Sequence, residues 1–350
     1  MNARYRVVDV AGTPRQMGHQ IGEAAGDEIR GFCASAMEHI HRSVRISRER
    51  AVQVARDSAA YVEDYAPHML DELRGMSEAA RVSLDDLMLL QVRNQLQPDE
   101  DAGCTALSLD RPLRAGRLVA QNWDADPALD AFTIVLIRRP SDLPAYMSLT
   151  QAGLIAYMGF NSAGIGACVN TLPAPVRGVG VPHYFTLRGI FESTSLDEAY
   201  QRVASATRAI PANIVLTTPQ GPADLEVTVD DVRLLRDDGQ GRLTHTNHCH
   251  HPEITKYNEQ FPELIQSHAR QRRIDQLLTA AGDQVTVEDV QAMLRDHQDH
   301  PHSICRHMND DPRFGFWQTV FSIIIEPEQR RMQVTRGTPC DHPFEVYELT

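Results

Sequence analysis

The sequence predicts an α+β protein in which a β-sheet core is covered by helices on both sides. Three observations carry that prediction. From Thr13 to about Gln95, apolar residues recur at spacings of three and four, the period of helices with one buried face. After Gly103 the pattern changes to short β-prone runs divided by Gly, Pro, Asp and Asn, spaced for antiparallel hairpins rather than for parallel strands with helical crossovers. Helical periodicity then returns twice, with further strands between and after the two returns.

Taken in order, Thr13-Pro14 supplies an N-cap hydroxyl and a proline at the first helical position. The helix it opens carries Ile21, Ala24, Ala25, Ile29, Phe32, Ala36 and Ile40 on one face. Ile46-Ser47 opens a second helix through Tyr65, which Pro67 stops. Met69, Leu70, Leu73 and Met76 mark a third, and Ser83-Leu84-Asp85-Asp86 caps a fourth. His19, His39 and His41 lie on these helices, where exposed or core-edge positions are expected rather than ligation. The acidic, proline-bearing segment Gln97-Pro98-Asp99-Glu100-Asp101 reads as a linker. Strands are expected at 105–109, 117–122, 132–138, 145–149, 155–159 and 165–169, then helices at 182–191 and 195–203. Strands follow at 213–218, 225–229 and 232–235, a long helical region at 254–281, and a helix at 286–294 capped by Thr286. Two strands, at 316–326 and 331–336, finish the chain.

Composition narrows the function. The 350 residues are 42% hydrophobic and 23% charged, as in an ordinary globular protein. A net charge of −13 argues against nucleic acid or an anionic membrane surface as partner. Acidic loops such as Asp310-Asp311 give slight support to a cationic substrate. The six cysteines (Cys33, Cys104, Cys168, Cys249, Cys305 and Cys340) form no CxxC pair and are too sparse for a disulfide framework. Met1 to Val10 lacks the flank and apolar run of a secretory signal, and the longest apolar runs are strand-length. A cytoplasmic protein in a reducing compartment is expected, with oligomeric state left open.

The chemistry centres on Gly103-Cys104-Thr105. Cysteine is the strongest side-chain nucleophile, and a preceding glycine tolerates crowded backbone geometry. That pairing suits a peptide bond cleaved by the cysteine itself: the Cys104 thiol attacks the Gly103 carbonyl, the acyl group moves from nitrogen to sulfur, and water releases it. The new chain would begin at Cys104 with nucleophile and amine on one residue. Alone, the same residues also fit a small buried thiol. Some twenty residues on, Gln121-Asn122-Trp123-Asp124 closes the next strand, and a hairpin would bring the two clusters together. Gly159-Phe160-Asn161-Ser162-Ala163-Gly164 lacks dinucleotide spacing and reads as a tight turn; Asn170 ends the following strand. The stretch 245–251 holds four histidines and a cysteine, but adjacent His250-His251 suits a metal poorly. Asn247 there is the better candidate, as a neutral amide donor for an oxyanion. A second cluster, His297 to His307, could supply metal ligands or form a solvated loop. Arg306 within it could lower a thiol pKa or hold a carboxylate.

Assembled in this order, these motifs make the chain resemble the isopenicillin N acyltransferase family of N-terminal nucleophile hydrolases, related to the choloylglycine hydrolases. The resemblance runs from Gly12-Thr13-Pro14 through Gly103-Cys104-Thr105, 121–124, 159–164, Asn170-Thr171-Leu172 and His245-Thr246-Asn247-His248 to Ser303-Ile304-Cys305-Arg306. It implies a four-layer αββα sandwich of two antiparallel sheets. It also implies self-cleavage between Gly103 and Cys104 into a helical α chain, 1–103, and a catalytic β chain, 104–350, that stay together as one unit. Residue by residue it implies Cys104 as nucleophile, Asp124 as its acidic partner, Asn247 as oxyanion donor and Arg306 as the charged residue near the thiol, with Arg313 as an alternative. Asn122, Asn170 and Thr105 would line the site. No metal or cofactor is required, since an α-amino group titrating at roughly pH 7.7 to 8 serves as general base. The expected activity is hydrolysis or acyl transfer on small linear amides or acylated amines through a thioester. Two other readings of the residues stand beside it: an unprocessed metalloprotein using the histidine clusters, and a binding protein on the same fold with an inert cysteine.

Overall fold

Residues 4–39, 46–96, 103–110, 116–237, 239–312 and 315–350 are described by a computed structural model of the chain. The linker 97–101, His41 and Arg313 fall outside the described residues.

A short strand, β1 (Val7–Gly12), leads into the helices α1 (Pro14–Ala24), α2 (Gly26–His39), α3 (Arg48–Tyr65), α4 (Pro67–Ala80) and α5 (Leu84–Leu96). Thr13 caps α1 in a reciprocal box with Gln16, and Ser47 caps α3, as their sequence positions suggest. The first helical stretch is two helices rather than one: Ala25 leaves helical geometry, with φ −121°, and Gly26 restarts the chain as α2. Helices α1 and α4 approach backbone to backbone. A Cβ on Gly18 would strike the Glu72 carbonyl, and one on Gly75 the Arg15 carbonyl.

Strands β2 (Gly103–Leu109), β3 (Leu118–Ala125), β4 (Thr133–Pro140), β5 (Tyr146–Gln151), β6 (Met158–Asn161) and β7 (Gly166–Asn170) follow, then α6 (His183–Phe191) and α7 (Leu196–Ala204). Next come β8 (Ala212–Thr218), β9 (Gly221–Val227), β10 (Val232–Arg236) and β11 (Arg242–His245). The region expected as one long helix contains a single turn, α8 (Tyr257–Gln260), and α9 (Ser267–Ala281). Phe261 is extended, Pro262 follows it, and Ile265 and Gln266 have positive φ, so the helix restarts at Ser267. After α10 (Val287–Leu294), the chain ends in β12 (Gln318–Glu326), β13 (Arg331–Val334) and β14 (Glu345–Glu348), one strand more than expected.

The strands form two sheets, in the orders β1-β4-β5-β6-β7-β8-β9-β10 and β11-β2-β3-β12-β13-β14. Every pairing is antiparallel except β1 with β4. The sheets pack face to face through β2 and β3 against β7 and β8. Helices α1, α6 and α7 cover the outer face of the larger sheet, while α9 and α10 cover that of the smaller. The architecture is therefore the four-layer αββα sandwich. Strands buried on both faces explain why β2, β3, β8 and β9 are buried at every position and show no polar alternation.

A buried ion network ties the helical layer to the larger sheet. Glu72 receives Arg138 Nε at 2.7 Å and Arg188 Nη1 at 2.9 Å, and Arg188 Nε also reaches Glu192 at 2.8 Å. Each buried charge has an opposite partner, without which its desolvation would be prohibitive.

Candidate active site

Cys104 is the second residue of β2 and is 1% exposed. It pairs with Trp123 across the β2–β3 ladder, and Gly103 pairs with Asp124. Side chains alternate across a strand. Cys104, Trp123 and Ala125 accordingly face a cavity of about 180 Å³, while Thr105 and Asp124 turn toward the helical layer and do not line it. The cavity's walls include Phe32 of α2, Arg93 and Asn94 of α5, Tyr157, His183, and Phe316 and Trp317 from the loop before β12. Trp123 packs on Phe321 and Tyr157 at ring separations of 4.9 and 5.7 Å, which holds that wall in place.

The thiol donates to the Val169 carbonyl of β7 at 3.6 Å. Burial first, then the negative charge of Asp124, pushes the Cys104 pKa well above its ordinary range, against a smaller lowering by Arg270. In this state the sulfur is a thiol, and it needs a base to become a nucleophile.

Behind Cys104 lies a polar cluster. Its backbone N–H donates to Asn247 Oδ1 at 2.9 Å. Arg270 of α9 donates to the Cys104 carbonyl, to Thr105 Oγ1 at 3.0 Å and to Asn247 Oδ1 at 2.8 Å. Asn247 Nδ2 donates to the Thr171 carbonyl at 3.0 Å. Two donors converging on one atom establish that the oxygen of Asn247 faces Cys104. Here Asn247 therefore holds the Cys104 nitrogen as an acceptor, and its amide donor is engaged elsewhere, unlike the oxyanion donor the sequence suggests. Asp124 Oδ1 accepts from Thr319 Oγ1 at 2.7 Å, while Oδ2 is buried with no hydrogen-bond partner among the described residues. Burial raises the Asp124 pKa, opposed by Arg270, Thr319 and Arg306. Oδ2 lies 3.3 Å from where a Cβ on Gly103 would stand, next to the bond expected to break.

Arg306 is buried and donates through Nη1 to Gln266 Oε1 at 3.1 Å; its charge acts on Asp124. Arg270 is the arginine that touches the Cys104 residue. The sequence reading missed it inside a helix, although there was a signal: Ser267, Arg270, Gln271, Ile274 and Leu278 share the buried face of α9, so a charge falls at a core position. Asn122 points away from the cavity, donating to the Leu294 and Ile304 carbonyls at 2.8 and 3.0 Å. Asn170 lines the cavity and clamps the His245 and Thr246 carbonyls, keeping the Asn247 loop against β7.

His245 at the end of β11, with His248, His250 and His268, forms a group of tilted rings next to this cluster, with His245–His250, His248–His250 and His248–His268 centroids 4.3, 4.6 and 4.0 Å apart. His245 Nε2 sits 2.9 Å from Glu226 and 3.8 Å from Asp224. Burial pushes Asp224 up to about 7, against the pull of His245. Burial alone would lower the His245 pKa, but Asp224 and Glu226 outweigh it and raise it. Between about pH 4 and about pH 7 the folded state keeps the Asp224 proton that the unfolded chain has lost, so stability falls as pH rises. Asp224→Asn is expected to flatten that slope by on the order of a few kcal/mol, read from urea unfolding at the two ends of the window. Parallel pH profiles for variant and parent would remove Asp224 from the account.

Three comparisons relate the chain to known proteins. The sequence model of the acyl-coenzyme A:6-aminopenicillanic acid acyl-transferase family matches residues 113–341. The 40 kDa form of acyl-coenzyme A:6-aminopenicillanic-acid-acyltransferase from Emericella nidulans is 29% identical, over 98% of this chain and 95% of that one. Among solved structures, a variant of conjugated bile acid hydrolase from Clostridium perfringens aligns with a TM-score of 0.45 at 10% identity, covering 71% of this chain and 97% of that one. Penicillin V acylase from Agrobacterium tumefaciens aligns with a TM-score of 0.46 at 12% identity, over 66% of this chain and 82% of that one.

Proposed function

Because the chain belongs to the acyl-coenzyme A:6-aminopenicillanic acid acyl-transferase family, an enzyme family of acyl transfer, we propose that it is matured by self-cleavage at Gly103-Cys104. It then acts as an amidohydrolase or acyltransferase with Cys104 as its amino-terminal nucleophile. The observation that carries this reading is the pairing of a cavity-facing thiol with a Cys104 nitrogen gripped by Asn247. The same residue presents its sulfur to the cavity and its nitrogen to Asn247 Oδ1.

Maturation proceeds by attack of Cys104 Sγ on the Gly103 carbonyl carbon. The C–N bond breaks, the thiol proton passes to the nitrogen, and water hydrolyses the thioester to a Gly103 carboxylate and a free Cys104 amine. The 1–103 and 104–350 chains remain joined by the shared core. Asn247 then holds an amine rather than an amide, and that amine takes the thiol proton in each later turnover. The thiolate attacks a small amide whose apolar acyl part lies among Phe32, Trp123 and Tyr157. The leaving amine departs with the proton, and a thioester remains. Water as acceptor gives hydrolysis; an amine gives acyl transfer.

Intact mass and amino-terminal sequencing of the purified protein test this directly. The 39.1 kDa chain is expected as two fragments of about 11 and about 28 kDa, in proportion to residue number, with Cys104 leading the larger. An active preparation showing only the Met1 terminus overturns the reading. Asp124→Asn removes the carboxylate beside Gly103. It is expected to slow maturation roughly 100-fold, the low end of the acid–base range, in a mass-resolved time course of freshly made precursor. A variant cut at the parental rate would take Asp124 out of the mechanism.

A further inference from the structure

Outside the lining of the cavity, four side chains from two connections converge. They are His297, just beyond α10; Cys305 and His307, in the loop before β12; and Cys340, between β13 and β14. All four ligand atoms lie within 4.8 Å of one another. His297 Nε2 and His307 Nε2 are 3.0 Å apart, Cys305 Sγ and Cys340 Sγ 3.7 Å, and His307 Nε2 lies 3.7 and 3.3 Å from the two sulfurs. A tetrahedral zinc ion with Zn–S of about 2.3 Å and Zn–N of about 2.05 Å has edges of about 3.8 Å between sulfurs, about 3.3 Å between nitrogens and about 3.5 Å between unlike ligands. These four separations fall within about 0.3 Å of those edges, and the remaining two, from His297 to the sulfurs, are no longer than 4.8 Å.

We propose that His297, Cys305, His307 and Cys340 form a structural site for a tetrahedral zinc-type divalent cation. Binding releases two thiol protons, and the two thiolates balance the charge of the dication, which suits a site whose Cys305 is buried. Four protein ligands close the coordination sphere, and none of them lines the cavity, so the ion has no place for substrate. Its effect is mechanical. It pins the α10–β12 connection to the β13–β14 connection, and Arg306 lies between two of its ligands. The Arg306 N–H donates to Thr319 Oγ1 at 2.9 Å, and that hydroxyl donates to Asp124. An ion there stiffens the segment that supports Asp124 from behind.

The site is independent of how Cys104 works, and its test is kept independent too. Metal content is measured by mass spectrometry on the full chain purified after expression with zinc, for the parent, Cys104→Ala, His250→Gln, His297→Gln, Cys305→Ser and Cys340→Ser. One zinc per chain is expected in the parent, in Cys104→Ala and in His250→Gln, with loss in both cysteine variants. His297 is exposed, so His297→Gln leaves the fold in place. It is expected to weaken cobalt binding tenfold or more, since even a lost outer-shell partner costs roughly 10–100-fold. The cobalt-loaded parent should show tetrahedral d–d absorption and a thiolate-to-metal charge-transfer band. A metal-free parent, a Cys305–Cys340 disulfide, or zinc retained in the cysteine variants and lost in His250→Gln would each overturn the proposal.

Discussion

Cys104→Ala is expected to remain a single chain of 39.1 kDa, with no measurable turnover of amides or acylated amines. In the proposed mechanism both losses come from one atom, because the sulfur that would open the Gly103 peptide would also carry the acyl group. The substitution removes only the sulfur, at a position that already borders the cavity, and the strand ladder around it uses backbone groups, so the variant should fold. A denaturing gel and intact mass read the cleavage, and a panel of N-acyl amines and amino acids reads the activity. Fragments persisting in the alanine variant would mean that another group cuts the chain.

The second large effect is expected at Arg270. Its guanidinium reaches the Cys104 carbonyl, the Thr105 hydroxyl and the Asn247 carbonyl oxygen together. A lysine ammonium cannot span three acceptors set around a planar fork. Arg270→Lys and Arg270→Met are therefore expected to slow both maturation and turnover by roughly 100-fold or more, comparable to the loss of an active-site hydrogen-bond donor. Lysine keeps the positive charge, whereas methionine leaves buried Asp124 without one of the arginines that offset it, so the thermal midpoint of each variant separates a positioning role from collapse of the core. Lysine and methionine variants that mature and turn over like the parent would remove Arg270 from the site.

Much of the fold was legible because its signals are local. Thr13-Pro14, Ser47, Ser195 and Thr286 cap helices through atoms three residues away, and each helix begins where its cap is written. Strands were found wherever β-prone residues lay between turn formers. The misses share a cause. β1 and β14 are short edge strands whose own β-prone residues, Val7, Val8 and Val10 in one and Val346 and Tyr347 in the other, are too few to mark a strand until β4 and β13 offer a ladder. The break before α9 depends on a bend that points Arg270 at Cys104.

The candidate site divides in the same way. Gly103-Cys104, Asp124 and Asn247 stand out because unusual residue types end strands, and the fold brings all of them to one rim. Arg270 and Cys340 do not stand out. Arg270 meets Cys104 across 166 residues of chain, and Cys340 meets Cys305 across 35.

By itself the sequence determined the kinds of element, their order and the cysteine placed where helices give way to strands, since periodicity and capping act over a turn or two of chain. Only the tertiary structure decided that the thiol faces the cavity while Asp124 faces the helices, that Asn247 offers its oxygen, and that an arginine from α9 closes the cluster. Those outcomes depend on which faces of distant elements are pressed together, and close packing fixes that for the chain as a whole.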